Sequence, residues 1–216
     1  MSKFIETIIL KIKGDWREVV NDCRYTVGKE DLVDGKEPTD DFKVRILISE
    51  HSPIRDISVK WRWYDIKSWI ATHWSRHMWE CFIKTQRTDR TGINRDKLPQ
   101  DQLVNFTGDA NAQHLIDTWR KRLCMQASSE TREYAEVFKA HIRTIPELKQ
   151  ISDVLVPNCI YRNGCPEMDE CPRWQGFVKY CRDNADQHPG LMSIRQRYAW
   201  YNEWFYKVLR KENDHE

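Results

Sequence analysis

The sequence predicts a mixed α/β chain, and three observations carry that expectation. Residues 4–12 and 54–63 alternate apolar and polar side chains, the period-two pattern of half-buried strands. Most other apolar residues recur every three or four positions, the helical period. Ten Trp, eight Tyr and seven Phe in 216 residues supply enough large apolar side chains for a substantial core.

Taken in order, the first strand holds Phe4, Ile5, Ile8, Leu10 and Ile12 and ends at Gly14. Asp15 then suits an N-cap for a helix through Trp16, Val19, Val20, Cys23 and Thr26 toward Gly28. The charged stretch 30–41, with Gly35 and Pro38, reads as an exposed loop, and 42–49 as a short helix stopped before Pro53. The second strand presents Ile54, Ile57, Val59, Trp61 and Trp63, after which Asp65 is placed to cap a helix over 66–82. Residues 85–112 read as one long polar loop, of the kind that is functional or mobile in compact domains. Helical spacing returns over 114–126, then from a Ser128 cap through Ile142, then over 146–155. The segment beyond Cys171 carries Trp174, Phe177, Tyr180, Trp200, Trp204 and Phe205, and no repeat or low-complexity stretch is visible.

Composition narrows the function classes. Thirty-five Lys and Arg against 33 Asp and Glu leave a net charge of +2, which argues against a polyanion-binding groove. Charged residues Lys3, Glu6, Lys11 and Lys13 interrupt the N-terminal apolar residues, so a soluble, cytoplasmic protein is expected. Seven cysteines form an odd set, expected to be reduced. Cys159, Cys165, Cys171 and Cys181 cluster in sequence but lack a C-x2–4-C knuckle, and they are read as packed thiols with no metal.

Three local patterns could carry chemistry. The first is His51-Ser52-Pro53-Ile54-Arg55, which also reads simply as a helix stop and strand start. The second is Arg76-His77-Met78 followed by Thr85-Gln86-Arg87-Thr88-Asp89-Arg90, where arginine forks and hydroxyls suit phosphate, although a solvated charged edge has the same composition. The third is Arg122 to Arg132 across a helix end and a helix start at Ser128, where unpaired N–H groups and flanking arginines favour an anion or simply cap the helix.

In order and approximate spacing, these patterns over residues 4–161 resemble the flavin-dependent thymidylate synthases. That family carries a His-x-Ser-Pro-Phe-Glu-His junction, an Arg-His-Arg signature followed by Ser-x-Arg, and a later Arg-x-Asp-x-His-Ala-Gln-x-Glu-Ile-Arg stretch. The chain departs from the pattern at Asp56, Met78, Cys124 and Gln126, and its hydroxyl-x-Arg element aligns as either Thr85-Gln86-Arg87 or Thr88-Asp89-Arg90. The departures point to a divergent member of phage-like character. The resemblance implies a mostly antiparallel central sheet flanked by long helices over residues 1–170; residues 171–216 lie outside it and read as an aromatic-rich extension that packs on that domain or forms part of an oligomer contact. The resemblance further implies a homotetramer with active sites at subunit junctions, binding FAD, NADPH, methylenetetrahydrofolate and dUMP and methylating C5 of the pyrimidine without a cysteine nucleophile. On that basis Ser52, Arg76, His77, Met78 and Gln126 would hold the flavin. Gln86, Arg87, Arg90, Arg122 and Arg132 would contact the nucleotide, and Arg122 with Thr85 or Thr88 would serve the chemistry.

Two other readings share these residues. A relative could modify another deoxypyrimidine nucleotide such as dCMP, with Gln126 reading a different base edge. A non-catalytic nucleotide or single-stranded nucleic-acid binder would instead use Trp61, Trp63, Trp69 and Trp74 as stacking platforms.

Overall fold

The structure, a computed structural model, describes residues 5–32 and 35–209, so Phe4 of the expected first strand lies outside the described residues. The chain divides into two compact units, Met1–Pro38 with Ser52–Leu115 and Thr39–His51 with Ile116–Glu216. No helix among the described residues is long and apolar enough to cross a membrane.

The first unit is built on a four-stranded sheet. Strands β1 (Ile8–Lys13), β2 (Ser58–Lys67), β3 (Glu80–Ile83) and β4 (Leu103–Asn111) lie in the order β1-β2-β4-β3, and every neighbouring pair is antiparallel. Helix α1 (Trp16–Tyr25) starts where the sequence places it. The Asp15 carboxylate accepts from Glu18 N at 2.9 Å while Glu18 returns the bond to Asp15 N at 3.0 Å, a reciprocal capping box.

Several boundaries differ from the sequence reading, for identifiable reasons. Residues 52–56 form a 3-10 turn, so the second strand starts at Ser58, four residues later than expected, and runs on to Lys67. Val59, Trp61 and Trp63 take its buried face. Asp65 is not a helix cap: its φ of 51° forms a bulge with Tyr64 that returns Ile66 to the buried side. Helix α3 (Ser68–Ser75) is only eight residues, in place of the expected 66–82. It stops because the Trp79 indole folds back, stacks on Trp74 at 5.9 Å and donates Nε1–H to the Trp74 carbonyl at 3.0 Å, which satisfies an acceptor at the helix end. Met78 and Phe82, which seemed to continue the helical stripe, are 84% and 60% exposed.

The largest correction is β4, a central strand inside the expected 85–112 loop; a four-residue helix, α4 (Thr88–Thr91), also lies there. Val104, Phe106 and Ala110 point to the buried face of β4, and between them Gly108 leaves room for the Trp61 indole. Trp63 meets Phe106 at 5.5 Å and Trp74 at 5.0 Å, closing an aromatic cluster between β2, β4 and α3. Trp61, Trp63 and Trp74 are fully buried, so these three are core and not stacking platforms, while Trp69, the fourth expected platform, is half-buried and packs edge-on to His73 at 5.4 Å. The opposite sheet face is polar: Lys13 pairs with Asp109 at 2.8 Å and Arg62 donates to Thr107 at 3.1 Å.

The second unit is helical. Helix α2 (Asp40–Ser49) starts two residues ahead of the expected 42 and is capped by Thr39. Helix α5 (Ala112–Arg122) contains the boundary between the units, and α6 (Ser129–Arg143) begins at the expected Ser128 cap. Then follow α7 (Lys149–Val154), shorter than the expected 146–155, α8 (Asn158–Arg162), α9 (Pro172–Ala185) and α10 (Ile194–Trp204). Trp119 packs on Phe138 at 4.5 Å and donates its indole N–H to the Ala135 carbonyl at 2.9 Å, joining α5 to α6. Phe177, Tyr201 and Phe205, from the aromatic-rich C-terminal segment, are fully buried in this same unit. Lys139 is also fully buried, donating to Asn202 Oδ1 at 2.7 Å, and burial pushes its ammonium down to about 7.

Two measurements test this account. A methyl group at position 108 would overlap the Trp61 ring, so Gly108→Ala is expected to cost about 1–3 kcal/mol in denaturant unfolding. Asp56, with one buried oxygen lacking a partner, faces Asp22 and Glu18, and burial plus those charges push its carboxyl up to about 6. Its proton is held more tightly in the folded chain than in the unfolded one, so the stability it contributes is present at low pH and lost as pH rises through about 6. Asp56→Asn, neutral throughout, should therefore gain on wild type in melting temperature between about pH 5 and pH 7.5.

Candidate functional site

The α3–β3 connection places the first group of expected site residues. Arg76 is the C-cap of α3 and is exposed, with no ion pair among the described residues. His77 is half-buried, packed edge-on to Trp79 at 5.2 Å, and Met78 projects outward. The same turn forms one wall of a cleft of about 560 Å³, lined also by Lys13, Ser58, Trp79, Glu80, Asp109, Asn111 and His114. Asp109 is nearly enclosed, its side chain 7% exposed, and its contact holds the Lys13 ammonium above the usual range. The cleft thus offers a flat apolar wall at Trp79 and Met78 and polar edges at Ser58 and Asn111. An unpaired cation at Arg76 stands on the same turn. The Trp79 side of the cleft suits the ring of the flavin that the resemblance implies, whereas Glu80 and Asp109 do not suit its diphosphate, for which Arg76 on that turn is the available cation. Ser52, also expected at the flavin, lies at the start of the 3-10 turn and is exposed.

The second group follows β3. Arg87 and Arg90 are exposed, and both lean on Asp89: Arg87 by a two-point fork at 3.0 and 2.8 Å, Arg90 at 3.9 Å. Thr85 Oγ1 accepts from Arg87 N at 3.2 Å, and Thr88 Oγ1 accepts from Arg95 N at 3.2 Å. Both hydroxyls of the two possible alignments therefore hold local turns. Gln86 between them is half-buried.

The third group belongs to the helical unit. Arg122 ends α5 half-buried, and Gln126 donates Nε2–H to the Asp169 carbonyl at 3.0 Å, tying its turn to the loop before α9. Arg132 lies one turn into α6 with Nε 3.6 Å from Glu136. It lines a cavity of about 330 Å³ together with Met125, Glu136, Pro172, Arg173 and Trp204.

Sequence reading passed over Lys13, Ser58, Asp109, Asn111 and His114 in the first unit, and Glu136 and Arg173 in the second. A signal existed for two of them. The period-two run Val104, Phe106, Gly108, Ala110 marks a strand whose other face carries Asp109, and Glu136 is four residues from Arg132 on one helix face. No local pattern points to Arg173.

Burial raises the Cys23, Cys81 and Cys124 thiols, and pushes Cys159 up to about 12 and Cys181 up to about 11. These five are held as thiols and not as thiolate nucleophiles at neutral pH. Among the described residues, no group of three or more His, Cys, Asp or Glu is arranged to hold a metal ion.

No family model matches the chain, and no curated protein matches it. Among solved structures, it is similar in fold to a UMP/dUMP methylase, PolB from Streptomyces cacaoi, bound with 5-Br dUMP, at a TM-score of 0.56 and 14% identity. That overlap covers 69% of this chain and 94% of PolB. PolB bound with 5-Br UMP overlaps at a TM-score of 0.51 and 13% identity, over 69% of this chain and 93% of the other. At these identities the likeness establishes a shared fold.

Proposed function

We propose that the chain methylates C5 of a pyrimidine nucleoside monophosphate, taking a one-carbon unit from methylenetetrahydrofolate and giving dTMP from dUMP. The observation that carries this reading is a fold overlap extending over 94% of a UMP/dUMP methylase. The Arg76-His77 turn beside an aromatic-walled cleft supports it independently.

In this reading Arg76, His77 and Met78 would hold FAD, with Ser52 and Gln126 as further contacts, and the flavin would supply hydride chemistry there with NADPH as its reductant. Arg87, Arg90, Arg122 and Arg132 grip the nucleotide, with Gln86 beside them. A phosphate dianion would compete with Asp89 for the Arg87 fork, exchanging an exposed carboxylate for a doubly charged partner of the same planar match. Arg122 supports negative charge that develops on the pyrimidine ring, and the Thr85 or Thr88 hydroxyl donates nearby. The reaction proposed needs no cysteine nucleophile, as in the resembling family, and the raised Cys159 and Cys181 thiols are in keeping with that. As in the resembling family, the active unit would be a homotetramer with its sites completed at subunit junctions.

The test offers dUMP, UMP and dCMP to the purified chain with FAD, NADPH and methylenetetrahydrofolate, and follows C5-methyl product together with retained flavin absorbance. Product from dUMP or UMP is expected, whereas product from dCMP alone would overturn the assignment. Arg122→Ala is expected to lower kcat/KM at least tenfold, the scale of one charge-assisted bond. Arg87→Ala should weaken binding of dUMP but not of deoxyuridine, which lacks the phosphate, in a titration comparing the two.

A further inference from the structure

We propose that Glu136 and Arg173 are positioning residues for Arg132, so that helix α9 sets the reach of a substrate arginine from the C-terminal part of the chain. This rests on reading Arg132 as a nucleotide contact. A single Glu136 oxygen, Oε1, meets two guanidinium groups: Arg173 Nη2 at 2.8 Å and Arg132 Nε at 3.6 Å. Arg173 is anchored at its other end, donating Nη1–H to the Leu123 carbonyl at 2.8 Å, next to Arg122. Its Nε is buried with no hydrogen-bond partner among the described residues.

The burial gradient supports a relay. Side-chain exposure is 6% for Arg173, 9% for Glu136 and 19% for Arg132, so of these three cavity-lining residues the first two are nearly enclosed and Arg132 is the most open to a ligand. The second Arg132 contact is a long one, Nη1 to the Ala127 carbonyl at 3.5 Å. Arg132 is therefore steered by one carboxylate, and that carboxylate is fixed by Arg173. An arginine held in its binding rotamer loses less freedom when a ligand arrives than one swinging in solvent. Met125, Pro172 and Trp204 line the cavity beside the pair, and the low exposure of Glu136 and Arg173 strengthens their electrostatic hold.

Removing one partner alone would strand a buried charge and can unfold the chain, so the decisive variant is the double Glu136→Gln/Arg173→Met. Calorimetric titration of the full chain with dUMP and UMP, beside its melting temperature, compares wild type, Arg132→Ala, the double variant and the triple combination. Asp183→Asn, at the exposed Lys179–Asp183 pair on α9, serves as control. The expected result is a folded double variant that binds about tenfold more weakly, with a triple variant no weaker than Arg132→Ala, since the loss already runs through Arg132. If the double variant does not fold, Arg173→Lys, which keeps the charge but loses the fork, takes its place in the same cycle. Wild-type affinity in the substituted chain, or losses that add to that of Arg132→Ala, would overturn the relay alone. A wild-type chain that binds neither nucleotide overturns the functional reading and the relay with it.

Discussion

The sheet unit depends on one steric constraint, the Trp61 indole lying where any side chain at position 108 would stand. With Gly108 in β4, the ring drops onto the sheet and meets Trp63 at 5.6 Å, Trp79 at 5.2 Å and Phe106 at 6.5 Å. That cluster holds α3 against the central strands. It also fixes Trp79, and with Trp79 the turn that carries Arg76, His77 and Met78. The candidate cleft is thus positioned by packing in the same strands that line it, with Gly108 directly before Asp109.

The helical unit uses a different device. Among the described residues, four long cationic side chains are drawn inward and fastened to backbone, amide or carboxylate acceptors. Lys139 bonds Asn202, Arg173 bonds the Leu123 carbonyl and Glu136, Arg197 bonds the carbonyls of Ile160 and Tyr161, and Arg120 pairs with Glu50 while lying 3.7 Å over the Tyr161 ring. Buried ion pairs are weak sources of net stability, but each demands one geometry, and an arginine fork can hold three elements in register at once. This accounts for the C-terminal segment in structural terms. Its aromatic residues fill the core, and its arginine reaches the end of α5 beside Arg122.

Local rules made several elements legible in advance. The Asp15 and Ser128 caps and the α6 stripe are short-range signals, and each is where the sequence places it, whereas the first strand starts only at Ile8 and a register shift between Ile9 and Lys11 leaves Leu10 exposed. The stretch 66–82 misled because Met78 and Phe82 extend a helical period by coincidence, while Trp79 gives its hydrogen bond to the Trp74 carbonyl and turns the chain. β4 was hidden because its central apolar position is a glycine, whose role exists only once Trp61 is folded over it. At the candidate site, the arginine-rich motifs were visible as residue types. Their present partners were not: Asp89 for Arg87, Glu136 for Arg132 and Asp169 for Gln126 are choices made by folded neighbours.

The sequence by itself determined the mixed character of the chain, the helix starts with polar caps, and the arginine, histidine and hydroxyl groups available for binding an anion. These are properties of a few adjacent residues and need no folded partner. Only the tertiary structure decided the antiparallel strand order, the burial of Trp61, Trp63 and Trp74, and the coupling of Arg132 to Arg173. Each of those joins residues distant in sequence, and the energy that selects them comes from excluded water and matched shape, which no local spacing encodes.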